Sequence, residues 1–243
     1  QRFKPVTEIR PNATSRSEHA ELRDWVTEGI RTRRVVRNDA KSGTRVEARE
    51  LLDVDVRLRH MDELGTEIQV IYPTFFLHVP TSSPEGQIAV ARSYNRWLAD
   101  RCSVSKGRLR WVCVPPLVDI DASIKELQIA KDHGACGVFK KGDAEVGYEP
   151  NDPYFFPLYE EAERLDMPIC FHTGSGAGET RRGLLRSKVP AINGIYALLE
   201  DNVPARFPTL RIGCVESGAS WIPFADYQLR RLHERHAFSS NVT

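Results

Sequence analysis

From Glu67 onwards the chain repeats one pattern, in which a short apolar run is followed by an amphipathic helical stretch. Helix starts separate the runs, for example at Ser83-Pro84 and Asp152-Pro153, since Ser and Asp cap helices and proline suits the first helical turn. The five apolar runs are EIQVIYP, LRWVCVP, CGVF, PICFH and RIGCVE. Near-continuous apolar strands that alternate with helices are typical of a parallel sheet covered by helices. The sequence therefore predicts an α/β fold.

The spacing of roughly 30–45 residues per unit suits a (β/α)8 barrel, and a doubly wound open sheet is the competitor. No G-x-G-x-x-G motif follows any of the runs, which weakens the dinucleotide-binding form of the open sheet. Only five of the eight strands of a barrel can be counted. Either the sequence lacks the other strands, or the residues before Glu67 contain strands that this pattern does not reveal. We predict a (β/α)8 TIM barrel that is incomplete in this sequence, with residues 66–243 as its units two to six.

Residues 1–65 differ from the rest because they are polar and rich in turn-forming residues. We expect them to form an extended lead-in that packs on the barrel. Trp25, Val26 and Ile30 could anchor one short helix there, and a longer helix is expected from Ala48 to Leu64.

The charge balance and hydropathy exclude two classes of partner. Lys and Arg number 34 against 33 Asp and Glu, a net charge of +1, whereas nucleic-acid-binding domains usually have a strong basic excess. No apolar run approaches the ~20 residues that span a bilayer. We therefore expect a small-molecule substrate, with no nucleic-acid or membrane partner.

The five cysteines indicate a reducing compartment. They are odd in number and show no C-x-x-C spacing, and Cys113, Cys136, Cys170 and Cys214 fall inside the apolar runs. Buried reduced thiols that act as small hydrophobic groups explain this pattern. A cytoplasmic location follows as the expectation.

Two of the apolar runs end in residues that can bind a metal. PICFH ends in His172 and RIGCVE ends in Glu216, and functional side chains of parallel α/β folds lie at the carboxyl ends of strands. Imidazole and carboxylate groups are both ligands of zinc, iron and manganese. The competing interpretation of His172 is a hydrogen-bonded structural histidine. Glycines after each residue favour a ligand site, since they allow close approach to the backbone.

Other residues are candidates for substrate binding. Arg181 could clamp a substrate carboxylate or phosphate, although an exposed arginine is more often solvated. Phe75 could form an apolar pocket wall or pack between sheet and helix. Lys140 follows the run CGVF, at the same end of its strand.

The sequence resembles a known family over roughly residues 58–232. The matching segments are RHMDELGTEIQVIYPTFF, SYNRWLADRC, GVFKKG, DPYFFPLYEEAERLDMPICFHTG and FPTLRIGCVESGASWIPF. They resemble the amidohydrolase 2 enzymes, the metal-dependent barrel relatives of aminocarboxymuconate semialdehyde decarboxylase and of the aromatic-acid decarboxylases. The resemblance implies a (β/α)8 barrel, a divalent transition metal (Zn, Fe or Mn, as one or two ions) and a homodimer.

Residue by residue, the resemblance makes His172 the metal ligand of the family's fifth strand. The family's first-strand H-x-H pair and its last-strand aspartate have no counterpart in these 243 residues. Lys140 and Lys141 stand where some binuclear amidohydrolases have a carboxylated bridging lysine. The alternative for this pair is that one lysine faces solvent and the other forms an ion pair.

Glu216 departs from the family and decides the expected reaction. The family's decarboxylases have a catalytic histidine at this position, whereas a carboxylate near a metal stays ionised and suits metal binding or proton abstraction from water. We therefore expect a hydrolase of an ester, thioester or amide, with His172 as metal ligand and catalytic residue and with Glu216 as ligand or proton acceptor. The alternative is a non-oxidative decarboxylase of a small aromatic or unsaturated carboxylic acid. A third interpretation, from a different class, is an inactive barrel that serves as a binding module.

Overall fold

The computed structural model describes residues 22–27, 30–35, 44–77, 81–172 and 188–240. Two compact units are present, one within residues 1–72 and 79–111 and the other within 73–78 and 112–243. The strands are β1 (Leu22–Thr27), β2 (Ile30–Val35), β3 (Gln69–Ile71), β4 (Leu109–Cys113), β5 (Ala135–Lys141), β6 (Ile169–His172) and β7 (Ile212–Val215). The α-helices are α1 (Val46–Arg49), α2 (Val54–Glu63), α3 (Pro84–Ser103), α4 (Ile120–Asp132), α5 (Phe156–Arg164), α6 (Val189–Glu200), α7 (Val203–Arg206) and α8 (Ile222–Ser240).

Five of these strands form one parallel sheet, in the order β3-β4-β5-β6-β7. The order in the sheet is the order along the chain, and every one of the five strands is followed by an α-helix. Sequential parallel strands with helical connections are the repeating unit of a (β/α) barrel. The five apolar runs predicted as strands are thus confirmed, and the described residues form part of a (β/α) barrel.

The first unit contains a β-hairpin that the sequence did not predict. β1 and β2 pair antiparallel, from Leu22 opposite Val35 to Thr27 opposite Ile30. The expected short helix around Trp25 is therefore wrong. The signal for a hairpin was present, because two runs with β-branched residues are separated by the two residues Glu28-Gly29, a spacing typical of tight hairpins.

The helix expected from Ala48 to Leu64 is divided into α1 and α2. Leu51 lies between them with a φ of 51°, a left-handed conformation that no α-helix can contain. Asp53 then starts α2, because its side chain accepts a hydrogen bond of 3.0 Å from the backbone N–H of Val56. In the same unit β3 and β4 pair in parallel from Gln69 opposite Leu109 to Ile71 opposite Trp111.

In the second unit the helices bury aromatic and aliphatic side chains against β5 and β6. The apolar stripe of α5 is spaced as the sequence predicts, and Leu158, Tyr159 and Ala162 are fully buried. Phe139 of β5 and Phe171 of β6 are buried as well. This packing gives β5 and β6 rigid positions, so the residues at their carboxyl ends are well placed for a site.

The start of α6 lies directly against the carboxyl end of β5. An added Cβ on Gly142 would overlap the carbonyl oxygen of Pro190 and would lie 2.9 Å from the backbone nitrogen of Gly194. The Asn193 side-chain amide donates a 2.9 Å hydrogen bond to the carbonyl oxygen of Gly142. Glycine is therefore required at position 142 by close backbone approach.

This contact leads to a prediction about stability. Gly142→Ala is expected to destabilise the protein by about 3 kcal/mol, the upper end of overpacking, because backbone atoms oppose the new methyl group. Gly213→Ala in β7 is the matched control, since a Cβ there meets no atom within 4 Å. Denaturant unfolding of both variants measures the difference. Equal midpoints for the two variants would contradict the close approach.

No disulfide joins any of the five cysteines, and four of them lie in β4, β5, β6 and β7 as predicted. Burial raises the pKa of the Cys113 thiol well above its ordinary value, and the nearby Glu126 carboxylate adds to the shift. The thiols thus act as packing groups.

Among the described residues no helix combines the length and apolar character needed to span a bilayer.

Candidate active site

His172 is the last residue of β6 and is almost completely buried, with a side chain 7% exposed. It pairs in register with Lys141 of β5 on one side and with Val215 of β7 on the other. Residues at the same level of neighbouring parallel strands have side chains on the same face of the sheet. Lys141, His172 and Val215 therefore form one row across the carboxyl ends of three adjacent strands.

Glu216 follows the last residue of β7 and points its carboxylate towards His172. The distance from Glu216 Oε2 to His172 Nε2 is 3.9 Å, longer than a hydrogen bond. Glu216 has a φ of 63°, a conformation that is rare for residues other than glycine and that is concentrated at functional sites. The Lys188 ammonium group donates to its carbonyl oxygen. The backbone turn after β7 is thus fixed while the carboxylate stays 62% exposed.

The two side chains have the chemistry of metal ligands. An imidazole nitrogen and a carboxylate oxygen from adjacent strand ends, 3.9 Å apart, match the donor types that zinc, iron and manganese take. The described ranges contain no group of three or more His, Cys, Asp or Glu side chains that is placed to hold a metal ion. His172 and Glu216 are thus two side chains of the chemical type that binds a divalent metal, and their role as ligands stays a prediction.

Phe139 provides an apolar wall beside this pair. Its ring centroid lies 5.8 Å from that of His172. Phe139 precedes Lys141 by two residues in β5, so both side chains lie on the His172 face of the sheet. An aromatic ring near a polar pair is the usual composition of a small-molecule site.

Lys140 and Lys141 lie on opposite faces of β5. Lys140 pairs with Phe171 and Lys141 with His172. The Lys140 ammonium group lies 3.9 Å from the centroid of the Phe155 ring, on the helix side of the sheet, and Lys140 is fully buried. Burial lowers the pKa of Lys140, and the Glu145 carboxylate opposes this shift. The structure therefore places Lys141 at the same level of the sheet as His172 and on the same face of β5 as Phe139, and it keeps the predicted substrate-binding residue Lys140 on the other face.

One carboxylate pairs with both lysines. Glu145 Oε2 accepts hydrogen bonds of 3.1 Å from Lys140 Nζ and 3.0 Å from the backbone N–H of Lys141. Glu145 Oε1 lies 3.6 Å from Lys141 Nζ. The expected ion pair is confirmed, but the expectation that one lysine faces solvent is wrong, since Lys141 is only 8% exposed. The physical reason is that β5 continues to Lys141, which places both residues inside packed structure.

The remaining predicted site residues are not part of this arrangement. Arg181 lies outside the described residues. Phe75 is half-buried in a short 3₁₀ helix (Phe75–Leu77) and contacts Phe76 edge to face at 5.3 Å. Its role as a pocket wall stays a prediction. Sequence reasoning missed Phe139 and Glu145, although extending the strand CGVF by two residues would have placed Phe139 and Lys141 on one face.

Comparison with known proteins gives consistent matches. A family model described as amidohydrolase matches residues 55–240. Gamma-resorcylate decarboxylase of Rhizobium sp. (strain MTP-10005) is 32% identical over 133 residues, which are 50% of this chain and 39% of that protein. The chain thus spans less than half the length of this curated relative.

Solved structures give the same fold. A 2,6-dihydroxybenzoate decarboxylase complexed with 2,6-dihydroxybenzoate is 25% identical with a TM-score of 0.53, over 65% of this chain and 54% of that chain. A dihydroxybenzoic acid decarboxylase from Polaromonas sp. JS666, with bound manganese and 2-nitroresorcinol, is 20% identical with a TM-score of 0.55, over 65% of this chain and 52% of that chain.

Proposed function

Because the chain belongs to the amidohydrolase family, we propose that the whole protein is a metal-dependent, non-oxidative decarboxylase of a small aromatic carboxylic acid. The observation that carries the proposal is the His172–Glu216 pair at adjacent strand ends, beside the Phe139 ring. The sequence alone favoured hydrolysis, because Glu216 replaces a histidine. The similar proteins are decarboxylases, and they support the decarboxylase alternative better than hydrolysis.

The chain's own residues have distinct tasks in this reaction. His172 and Glu216 would bind a divalent ion such as manganese, which a related structure contains and which supplies a Lewis acid for the substrate's oxygens. Phe139 limits the pocket on one side and excludes water from the aromatic ring of the substrate. We also keep the homodimer as a proposal, since the family resemblance implies it.

Glu216 is the residue that we propose for proton transfer. The ionised carboxylate takes a proton from solvent and passes it to the ring carbon that bears the substrate carboxylate. The bond between that carbon and the carboxylate then breaks, its electron pair restores the aromatic ring, and carbon dioxide leaves. The exposed position of the Glu216 side chain allows it to regain the proton from solvent.

Hydrolysis remains the second candidate because of Glu216 itself. A carboxylate beside a metal-binding histidine can take a proton from water, the step that hydrolases of this superfamily architecture need. The two reactions differ in their products and can be measured on the same preparation.

The test uses the complete protein loaded with manganese. We expect it to convert 2,6-dihydroxybenzoate to the corresponding phenol with one carbon dioxide per aromatic acid, and to lose this activity with a chelator. Ester, thioester and amide substrates are assayed in parallel. Hydrolysis without carbon dioxide release would favour the second candidate, and inactivity in both assays would favour the binding module.

A further inference from the structure

Lys141 is the one cationic side chain of β5 on the His172 face, and it occupies the same level of the sheet as His172. Phe139 lies on that face one step earlier in the strand. A substrate whose ring lies against Phe139 would therefore have its charged group near Lys141. Lys140, by contrast, packs against Phe155 and Phe171 on the helix side.

The ammonium group of Lys141 has hydrogen-bonding capacity that Glu145 does not use. The 3.6 Å separation from Glu145 Oε1 is longer than a hydrogen bond, whereas Lys140 Nζ donates to Oε2 at 3.1 Å. One carboxylate is shared by two buried ammonium groups, with Glu149 acting on Lys140 at longer range. A buried cation is stabilised by additional anionic partners, so this position is suited to a second carboxylate.

Glu145 is fixed in place by a strained turn. Its backbone N–H and carbonyl exchange two hydrogen bonds of 2.9 Å with Tyr148. The two residues between them, Val146 and Gly147, have φ values of 50° and 90°. Positive φ is a genuine outlier for a β-branched residue such as valine, and such strain is found where the surrounding structure holds a functional group. The turn therefore directs the Glu145 carboxylate between the two lysines.

We propose that Lys141 binds the carboxylate of the substrate, and that Glu145 is a positioning residue that holds the Lys141 ammonium group on the His172 face. The inference rests on the proposed function, because it assumes an aromatic carboxylate in this site. It assigns recognition of the acid group to β5, whereas the metal-binding residues come from β6 and the turn after β7. It also predicts that the site distinguishes a carboxylate from its neutral amide.

The test measures binding, so that it does not depend on turnover. Titration calorimetry of the manganese-loaded protein with 2-hydroxybenzoate and with 2-hydroxybenzamide gives a preference for the charged ligand. We expect the wild type to prefer 2-hydroxybenzoate by roughly 10–100-fold, the size of a charge-assisted hydrogen bond. Lys141→Met should reduce the preference to about twofold or less. Lys131→Met, on the exposed surface of α4, is the control and should keep it.

Lys140→Met separates the two neighbouring lysines. The greater loss of preference should occur in Lys141→Met, and a greater loss in Lys140→Met would overturn the assignment. An unchanged preference in Lys141→Met would overturn it as well, and so would a wild type that does not distinguish the two ligands. If the preference is present but no decarboxylation occurs, the proposed reaction fails while the anion site stands. Metal content and circular dichroism confirm that each variant is folded and loaded.

Glu145→Gln tests the positioning role. If Glu145 fixes Lys141, the variant should bind 2-hydroxybenzoate about tenfold more weakly, because the amide pairs weakly with the ammonium group. If Glu145 only neutralises Lys141, its removal frees the cation and binding becomes tighter, which would contradict positioning. Glu145→Asp keeps the charge, so its binding should be closer to wild type than that of Glu145→Gln. Unchanged binding in Glu145→Gln would also contradict the role.

Discussion

Replacement of His172 by alanine is expected to remove most of the bound divalent metal and to lower the decarboxylation rate by more than about 100-fold. Loss of residues that merely support metal ligands typically lowers metal affinity or activity by 10–100-fold, and loss of a ligand itself should exceed that range. Elemental analysis of the complete, purified protein measures the metal, and carbon dioxide release measures the rate.

Two further variants separate metal binding from packing. His172 is buried against Phe139, so alanine also leaves a cavity that can destabilise the fold. His172→Gln retains more of the side-chain volume but is a poor ligand, and it should lose metal as alanine does. His233→Ala, on the exposed surface of α8, should keep both metal and activity. If folded His172→Gln retained the wild-type metal content, His172 would not be a ligand.

Glu216→Gln is expected to lower the rate by about 10²–10⁴-fold, the usual contribution of a general acid or base. The amide cannot transfer the proton and binds metals weakly. The backbone cost of the positive φ is nearly the same for glutamate and glutamine, since both have the same Cβ and similar shape. The comparison therefore isolates the carboxylate.

Replacements with different chemistry distinguish the interpretations of Glu216. Glu216→His introduces the residue that the family's decarboxylases have here, so we expect it to retain more decarboxylation than Glu216→Gln and to show no gain in ester hydrolysis. Glu216→Gly should lack activity. It should also unfold at a higher temperature than the wild type, because glycine adopts this conformation without the strain of about 1–2 kcal/mol. Near-normal turnover of Glu216→Gln with a lowered Tm would instead make Glu216 a structural carboxylate.

Local patterns predicted the strands and several helix starts because these depend on neighbouring residues. Ser83 caps α3 through a 3.0 Å hydrogen bond from Gly86, as the Ser-Pro sequence indicates. The spacing of Leu158, Tyr159 and Ala162 predicted the buried face of α5. The hairpin and the break at Leu51 were missed, because polar composition concealed a strand pair and a single left-handed residue leaves little signal in composition.

The sequence by itself determined the parallel α/β architecture, the positions of four cysteines inside the strands and the placement of His172 and Glu216 at strand ends. Each of these follows from residue order and from the rule that parallel strands present their carboxyl ends at one edge. Only the tertiary structure decided between Lys140 and Lys141, because a shift of one residue along a strand moves a side chain to the other face. The register between β5 and β6 is set by packing between segments that are distant in the sequence, and for that reason the lysine at the level of His172 could be identified only in the folded chain.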